Sequence, residues 1–234
     1  MELLSRNFNY GVKEALTFEI GNIFIPKELP LKSLPQERRT LAIGMYGEVD
    51  YYYLKGIVEI LLNRLGISSF RYLREENHPT FHPGRTANIV YNNKVLGVIG
   101  EVHPDVLENY DIDVPVYAGE LDFATIIEEA KLNKKYKPLP KYPSIIRDLA
   151  VVLDKDIPVT DIEDVIWKWG EGIVEKVELF DVYEGEQIPE DKKSVAFSII
   201  YRSYKKTLRD EDISEIHEKI VKEVEKTFKA NLRS

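Results

Sequence analysis

The sequence has 234 residues, 44% of them apolar and 11% aromatic. That is long for one compact domain and enough for two of roughly 100–130 residues, each with its own core. It has no cysteine, which excludes disulfides, thiolate metal sites and cysteine nucleophiles. The net charge of −8 is the wrong sign for a dedicated nucleic-acid binder, so any such role must rest on a local basic edge.

In chain order, Leu16 to Ile20 and Arg39 to Met45 have strand character. Residues 53–65 form a helix with Leu54, Ile57, Val58, Leu61, Leu62 and Leu65 on one face and Gly66 as the stop. Ala87 to Tyr91 and Val95 to Ile99 read as a hairpin closed by Asn92-Asn93-Lys94. A strand at Val116 to Leu121 and a short helix from about Phe123 to Ala130 complete a mixed α+β module on an antiparallel sheet. The segment 132–143 then carries three prolines and four lysines with no apolar period, and reads as an extended linker.

Beyond it, Ile145 to Leu153 is a strand, and Thr160-Asp161-Ile162-Glu163 reads as a capping box opening a helix. That helix puts Ile162, Val165, Ile166 and Trp169 inward and leaves Trp167 off the core face. Strands at Val174 to Tyr183 and Ser194 to Tyr201 flank an acidic loop. A helix from about Asp210 to Phe228 carries acids in its first turn, as the dipole favours. Ala230-Asn231-Leu232 can add an edge strand. The order, strand-helix-strand-strand-helix-strand, is the split βαβ plan of ferredoxin-like folds.

Five stretches of this second half stand out: Tyr142-Pro143-Ser144 with Arg147 to Val152, Leu179 to Gly185, Lys192 to Phe197, Lys206 to Glu211, and Ala230 to Arg233. In this order and spacing they resemble the ferredoxin-fold anticodon-binding domain of bacterial phenylalanyl-tRNA synthetase beta chains. In the first half, Phe18 to Phe24, Asp50 to Gly56, Phe81 to Ala87 and Gly97 to Pro104 are similar to blocks of the catalytic-like module of the same chains. One departure is Tyr53, where the family has a second Asp in the helix entry. The resemblance implies a class II synthetase-like antiparallel-sheet module over 1–132, a linker over 133–141 and a ferredoxin-like βαββαβ domain over 142–234. It also implies a parent chain several-fold longer, of which this would be the C-terminal piece. The alpha subunit would carry the reaction, with ATP and Mg²⁺ used by the assembled alpha2-beta2 enzyme and no cofactor in this segment.

Asp181 and Tyr183 are two apart on one strand, so both point to one face. Tyr183 can stack a base and Asp181 can accept from a base N–H. Both match positions the family uses for anticodon contacts, as do Ala150, small enough to leave room for a base, and Ser194, which offers a hydroxyl. Arg202, Lys205, Lys206 and Arg209 supply cations for phosphates. A half-buried tyrosine and a solvated lysine loop are the plainer readings of the same residues.

His78 and His82 have the i, i+4 spacing of a zinc pair, but Pro79 and Pro83 forbid the helix that would aim them. The expectation is no metal, with His82-Pro83-Gly84-Arg85 shaping a tight loop. Glu101 and His103 could suggest acid–base work, yet no nucleophile accompanies them. No phosphate loop is present, and the paired arginines with which class II synthetases hold ATP are missing. The expectation is therefore a non-catalytic part of a ligase that binds phenylalanine tRNA and scaffolds the alpha subunit. The absence of cysteine, of a ~20-residue apolar run and of a signal-peptide layout fits the cytoplasm. A stand-alone RNA-binding or protein-interaction module of the same folds is the alternative.

Overall fold

The computed structural model describes residues 1–133, 136 and 138–233. Lys134, Lys135 and Lys137 of the expected linker lie outside the described residues. The chain divides into two compact units, Met1–Lys135 and Tyr136–Ser234.

The first unit runs α1 (Glu2–Asn9), β1 (Ala15–Ile25), β2 (Gln36–Tyr46), α2 (Tyr51–Arg64), β3 (Arg71–Arg74), β4 (Phe81–Tyr91), β5 (Lys94–Val102), α3 (Pro104–Glu108), β6 (Tyr117–Asp122) and α4 (Phe123–Glu129). Its sheet has the order β1-β2-β6-β5-β4-β3 and every pair is antiparallel. Leu54, Val58 and Leu62 of α2 bury against Leu41, Ile43 and Met45 of β2, with Ile99 and Leu121 beside them. The helix starts where the Asp50 carboxylate accepts from the Tyr53 N–H at 2.7 Å. The opposite face is covered in part by α1, whose Leu4 packs with Ala15, Tyr46 and Val98. The β4–β5 hairpin turns on Asn92 and Asn93, both at positive φ, the conformation a two-residue loop needs to match strand twist.

Three sequence expectations change here. β1 extends to Ile25 because it pairs with β2 over all eleven of its residues. The tight loop at His82–Arg85 is a bulge inside β4, where pairing jumps from Phe81↔Val102 to Thr86↔Gly100. And α1, β3 and α3 were not among the expected elements.

The second unit runs β7 (Ile145–Asp154), α5 (Val159–Trp169), β8 (Val174–Tyr183), β9 (Lys192–Tyr201), α6 (Asp210–Phe228) and β10 (Asn231–Leu232). The sheet order is β10-β7-β9-β8, antiparallel throughout, which is the expected ferredoxin-like plan. Leu149, Val151 and Leu153 of β7 and Val195, Phe197, Ile199 and Tyr201 of β9 face the helices, meeting Ile162, Ile166, Ile213, Ile220 and Val224. The capping box is corrected: α5 begins at Val159 behind Pro158, with no side-chain cap bond. Pro158 is itself the N-cap, extended at ψ 139, so the first turn forms two residues early and Thr160 sits inside it. Among the described residues no helix is long and apolar enough to cross a membrane.

This packing makes the stability of each unit testable. Gly66, just beyond α2, has φ +76, and a Cβ there would lie 2.2 Å from the Lys131 carbonyl oxygen. Gly66→Ala should destabilise the first unit by roughly 1–3 kcal/mol, read from its denaturation midpoint. In the second unit, His217 Nδ1 and the buried Tyr201 hydroxyl are hydrogen-bonded at 2.9 Å, and burial lowers the His217 pKa below its ordinary 6.5. The unfolded chain therefore binds the proton more readily. This contribution to stability is complete above pH 6.5 and is lost as pH falls from there through the folded-state pKa. His217→Gln should flatten the acid limb of the melting-temperature profile, and an unchanged limb would count against it.

Candidate nucleic-acid interface

The sheet of the second unit buries one face under α5 and α6 and presents the other. Register decides which side chains reach that open face. Tyr183 pairs with Ser194, and Asp181 with Ala196. On the other side of β9, Ala196 pairs with Ala150, and Ser194 with Val152. Asp181, Tyr183, Ser194 and Ala150 therefore share one face across three adjacent strands. A bulge between Leu179 and Asp181 makes Phe180 the extra residue, and Phe180 is exposed.

One further residue belongs here that the sequence reading did not single out. β10 pairs with β7, and beyond it the Arg233 N–H donates to the Ala150 carbonyl at 3.0 Å. The Arg233 guanidinium lies 5.2 Å from the centroid of the Tyr183 ring. Its Nη1 donates to the Ser194 hydroxyl at 3.2 Å. Ser194 is only 2% exposed, so its hydroxyl sits in the layer beneath Arg233. Gly185 completes the arrangement, since a Cβ there would approach the Tyr183 hydroxyl to 2.4 Å. A side chain at 185 would require the Tyr183 ring to shift.

The charges around this end of the sheet are mostly paired. Lys192 Nζ bonds Asp154 at 2.6 Å, and that bond raises its pKa. Lys193 Nζ donates to the carbonyls of Lys155 and Ile157 at 2.9 and 2.7 Å, and burial lowers its pKa. Lys155 is paired with Glu184 at 3.1 Å.

The basic stretch 202–209 is elsewhere. It follows Tyr201, at the opposite end of β9 from Ser194, seven residues or about 23 Å away along the strand. Within it, Arg202 Nε bonds Glu175 at 2.7 Å and Nη1 donates to the Tyr142 carbonyl at 2.8 Å. The bond to Arg202 holds the Glu175 carboxyl below the usual carboxylate range. Lys206 bonds Asp212 at 2.6 Å and holds that carboxyl down likewise. Lys205 and Arg209 have exposed side chains, and the Arg209 N–H donates to Asp212 at 2.9 Å. Of the eight expected site residues, four converge on one face and four sit at the far end of the sheet.

The histidines of the first unit have local work. In each of His78-Pro79-Thr80, His82-Pro83-Gly84 and His103-Pro104-Asp105, the histidine Nδ1 accepts the backbone N–H two residues on, at 3.3, 3.1 and 3.2 Å. They shape turns after the manner of an Asx side chain. Glu101 is buried and held by both of its oxygens on Arg85 Nη1, each at 2.7 Å.

The second unit is a ferredoxin-like sheet whose open face carries an aromatic, a carboxylate and an arginine. The chain belongs to the phenylalanyl-tRNA synthetase beta chain family. Residues 1–123 match the model "Phenylalanyl tRNA synthetase beta chain CLM domain", and residues 140–233 match "Ferredoxin-fold anticodon binding domain". Relatives include phenylalanine–tRNA ligase beta subunits of Clostridium tetani and Clostridium acetobutylicum, 50% and 47% identical over 233 residues, and of Bacillus subtilis, 37% identical over 244. Each match covers 100% of this chain, which spans only 29–30% of those relatives' length. A pyrrolysyl-tRNA synthetase structure from Desulfitobacterium hafniense aligns loosely, at 17% identity and a TM-score of 0.45, over 54% of this chain and 45% of that one.

Because Arg233 lies beside a two-residue edge strand at a wet surface, Arg233→Ala should cost less than about 1 kcal/mol of stability. Its melting temperature, compared with the parent chain's, checks this; a large drop would mean that the arginine anchors β10.

Proposed function

We propose that this chain serves the ATP- and Mg²⁺-dependent attachment of phenylalanine to its tRNA as a non-catalytic, cytoplasmic component. The division is a catalytic-like module over 1–132, a linker over 133–141 and an anticodon-binding domain over 142–234. The second unit binds the anticodon region of phenylalanine tRNA, and the first scaffolds the alpha subunit of an alpha2-beta2 assembly.

The observation that carries the RNA half is the open sheet face on which Asp181, Tyr183, Ser194 and Ala150 come together with Arg233. A base stacks on Tyr183, which Arg233 and the gap at Gly185 hold in place. Asp181 accepts from a base N–H, and Ala150 leaves room above the sheet. Lys205 and Arg209 at the far end meet phosphates, while Arg202 and Lys206 are engaged by Glu175 and Asp212.

The scaffold half rests on β1. It is an edge strand of eleven residues, paired among the described residues with β2 alone, and it exposes Leu16, Phe18, Ile20, Ile23, Phe24 and Ile25. Beside it, Leu16, Phe18, Ile20, Ile57 and Leu61 line an apolar groove of about 350 Å³. Such an edge is normally covered.

Binding of an anticodon stem-loop of phenylalanine tRNA, measured at two salt concentrations, tests the reading. Tyr183→Ala should weaken it by roughly 1–3 kcal/mol. Lys205→Glu should reduce the salt slope by about one charge without abolishing binding. Absence of any binding at low salt would remove the second unit as an independent RNA reader.

A further inference from the structure

The sheet of the first unit carries a polar cavity of about 260 Å³ on the face away from α2. Arg38 and Thr40 of β2, Glu120 and Asp122 of β6, Asn88 of β4 and His78 line it. Arg38 and Thr40 are alternate residues of one strand and share its face. Asp122 stands directly opposite Thr40 in register, and Glu120 opposite Ala42.

Two buried atoms here have no hydrogen-bond partner, Thr40 Oγ1 and Arg38 Nε. Thr40 is only 7% exposed, so its hydroxyl has little recourse to bulk water. Buried polar groups left without partners are costly and uncommon in native proteins. The remaining groups have capacity to spare. Asp122 Oδ1 accepts from the Thr125 N–H at 3.0 Å, which leaves Oδ2. Asn88 donates to Glu75 at 2.8 Å, which leaves its own carbonyl oxygen. His78 Nδ1 accepts from the Thr80 N–H at 3.3 Å, so the neutral ring carries its proton on Nε2 and can donate.

The charge layout restricts what can enter. Among the described residues no ion pair joins Arg38 to Glu120 or Asp122. A simple anion would meet Arg38 but also two carboxylates. A divalent cation would meet the arginine, and no group of three ligating side chains is present among the described residues. A molecule with both charges satisfies both ends. We infer that this cavity binds a small zwitterion, a carboxylate and an ammonium group on a short aliphatic body. The carboxylate accepts from Arg38 Nε and the Thr40 hydroxyl, the ammonium donates to Asp122 and Glu120, and the body rests on Val95 and Val98.

The test uses the full chain and three probes: L-valine, which has both charges; isovalerate, which lacks the ammonium; and isobutylamine, which lacks the carboxylate. Binding is followed by NMR shifts of Thr40 and His78 at millimolar probe. L-valine should shift both resonances saturably, with each half-ligand at least about tenfold weaker. Thr40→Val and Glu120→Gln should each weaken L-valine severalfold. Glu120 is exposed, so its variant stays folded even if changes at Arg38 or Thr40 do not. Isovalerate binding as well as L-valine, indifference to Glu120→Gln in a folded chain, or no saturable shift with any probe would each overturn the inference.

Discussion

The unbroken pairing of β7 with β9 governs the second unit. Ten consecutive pairs, from Ile145↔Tyr201 to Asp154↔Lys192, run without a bulge. Side chains alternate with period two, so this register sends Leu149, Val151, Leu153, Val195, Phe197 and Ile199 to the helices. Ala150, Ser194 and Ala196 go the other way. A slip of one residue would bury the polar set and expose the core. The cost of that exchange, several large apolar side chains at about 1.5–3 kcal/mol each, is what fixes the open face. The irregularities fall on β8, the outer strand, one between Val174 and Lys176 and one beside Asp181. There the bulge at Phe180 switches the alternation, so that Asp181 and Tyr183 land on the same side as Ser194, opposite to Val177 and Leu179.

That geometry also answers how an acidic chain can present a surface to an anion-rich partner. The net charge of −8 describes the whole chain, whereas the open face holds an arginine against an aromatic ring. The nearby lysines are neutralised by Asp154 and Glu184 or directed at carbonyls, so they add little long-range attraction. Affinity on such a face comes from stacking and edge contacts more than from phosphate charge. On the proposed reading, its salt dependence comes from Arg233 and from the exposed cations of the distant 202–209 stretch.

Much of this was legible in the residues. The apolar spacing of Leu54, Val58 and Leu62, and of Ile213, Ile220 and Val224, marked α2 and α6, because only a helix gathers residues at that spacing into one buried stripe. Asn92-Asn93 announced its hairpin because asparagine tolerates positive φ. The spacing of Asp181 and Tyr183 gave their shared face. What escaped depends on contacts distant in sequence. Arg233 reaches Tyr183 and Ser194 only because β10 pairs with β7, and a two-residue strand has no periodicity to read. The far half of β1 is a strand because β2 lies beside it, while Gly21-Asn22 locally favours a turn. The capping box failed for the reverse reason: the local motif was real, but Pro158 had already set the entry of the helix.

The two units use their sheets in opposite ways. In the second, helices cover one face and the other is left open, with small side chains at Ala150 and Ala196 and one aromatic at its margin. In the first, both faces carry packed residues, and two kinds of unsatisfied surface remain. One is the apolar edge of β1, where Phe18 is 75% exposed. The other is the polar cavity over β2 and β6, where Thr40 and Arg38 hold atoms without partners. These have different physical remedies. Exposed apolar area is relieved by any complementary apolar surface, so the edge suits association with another chain. A buried hydroxyl and guanidinium nitrogen are relieved only by groups of the right polarity and position, so the cavity suits a small polar ligand. Since Ala42 and Thr40 of β2 face the cavity side while Leu41 and Ile43 face α2, a single strand supplies both surfaces. Substitutions at Arg38 and Thr40 should therefore alter ligand capture, and those at Leu41, Ile43 and Met45 packing and association.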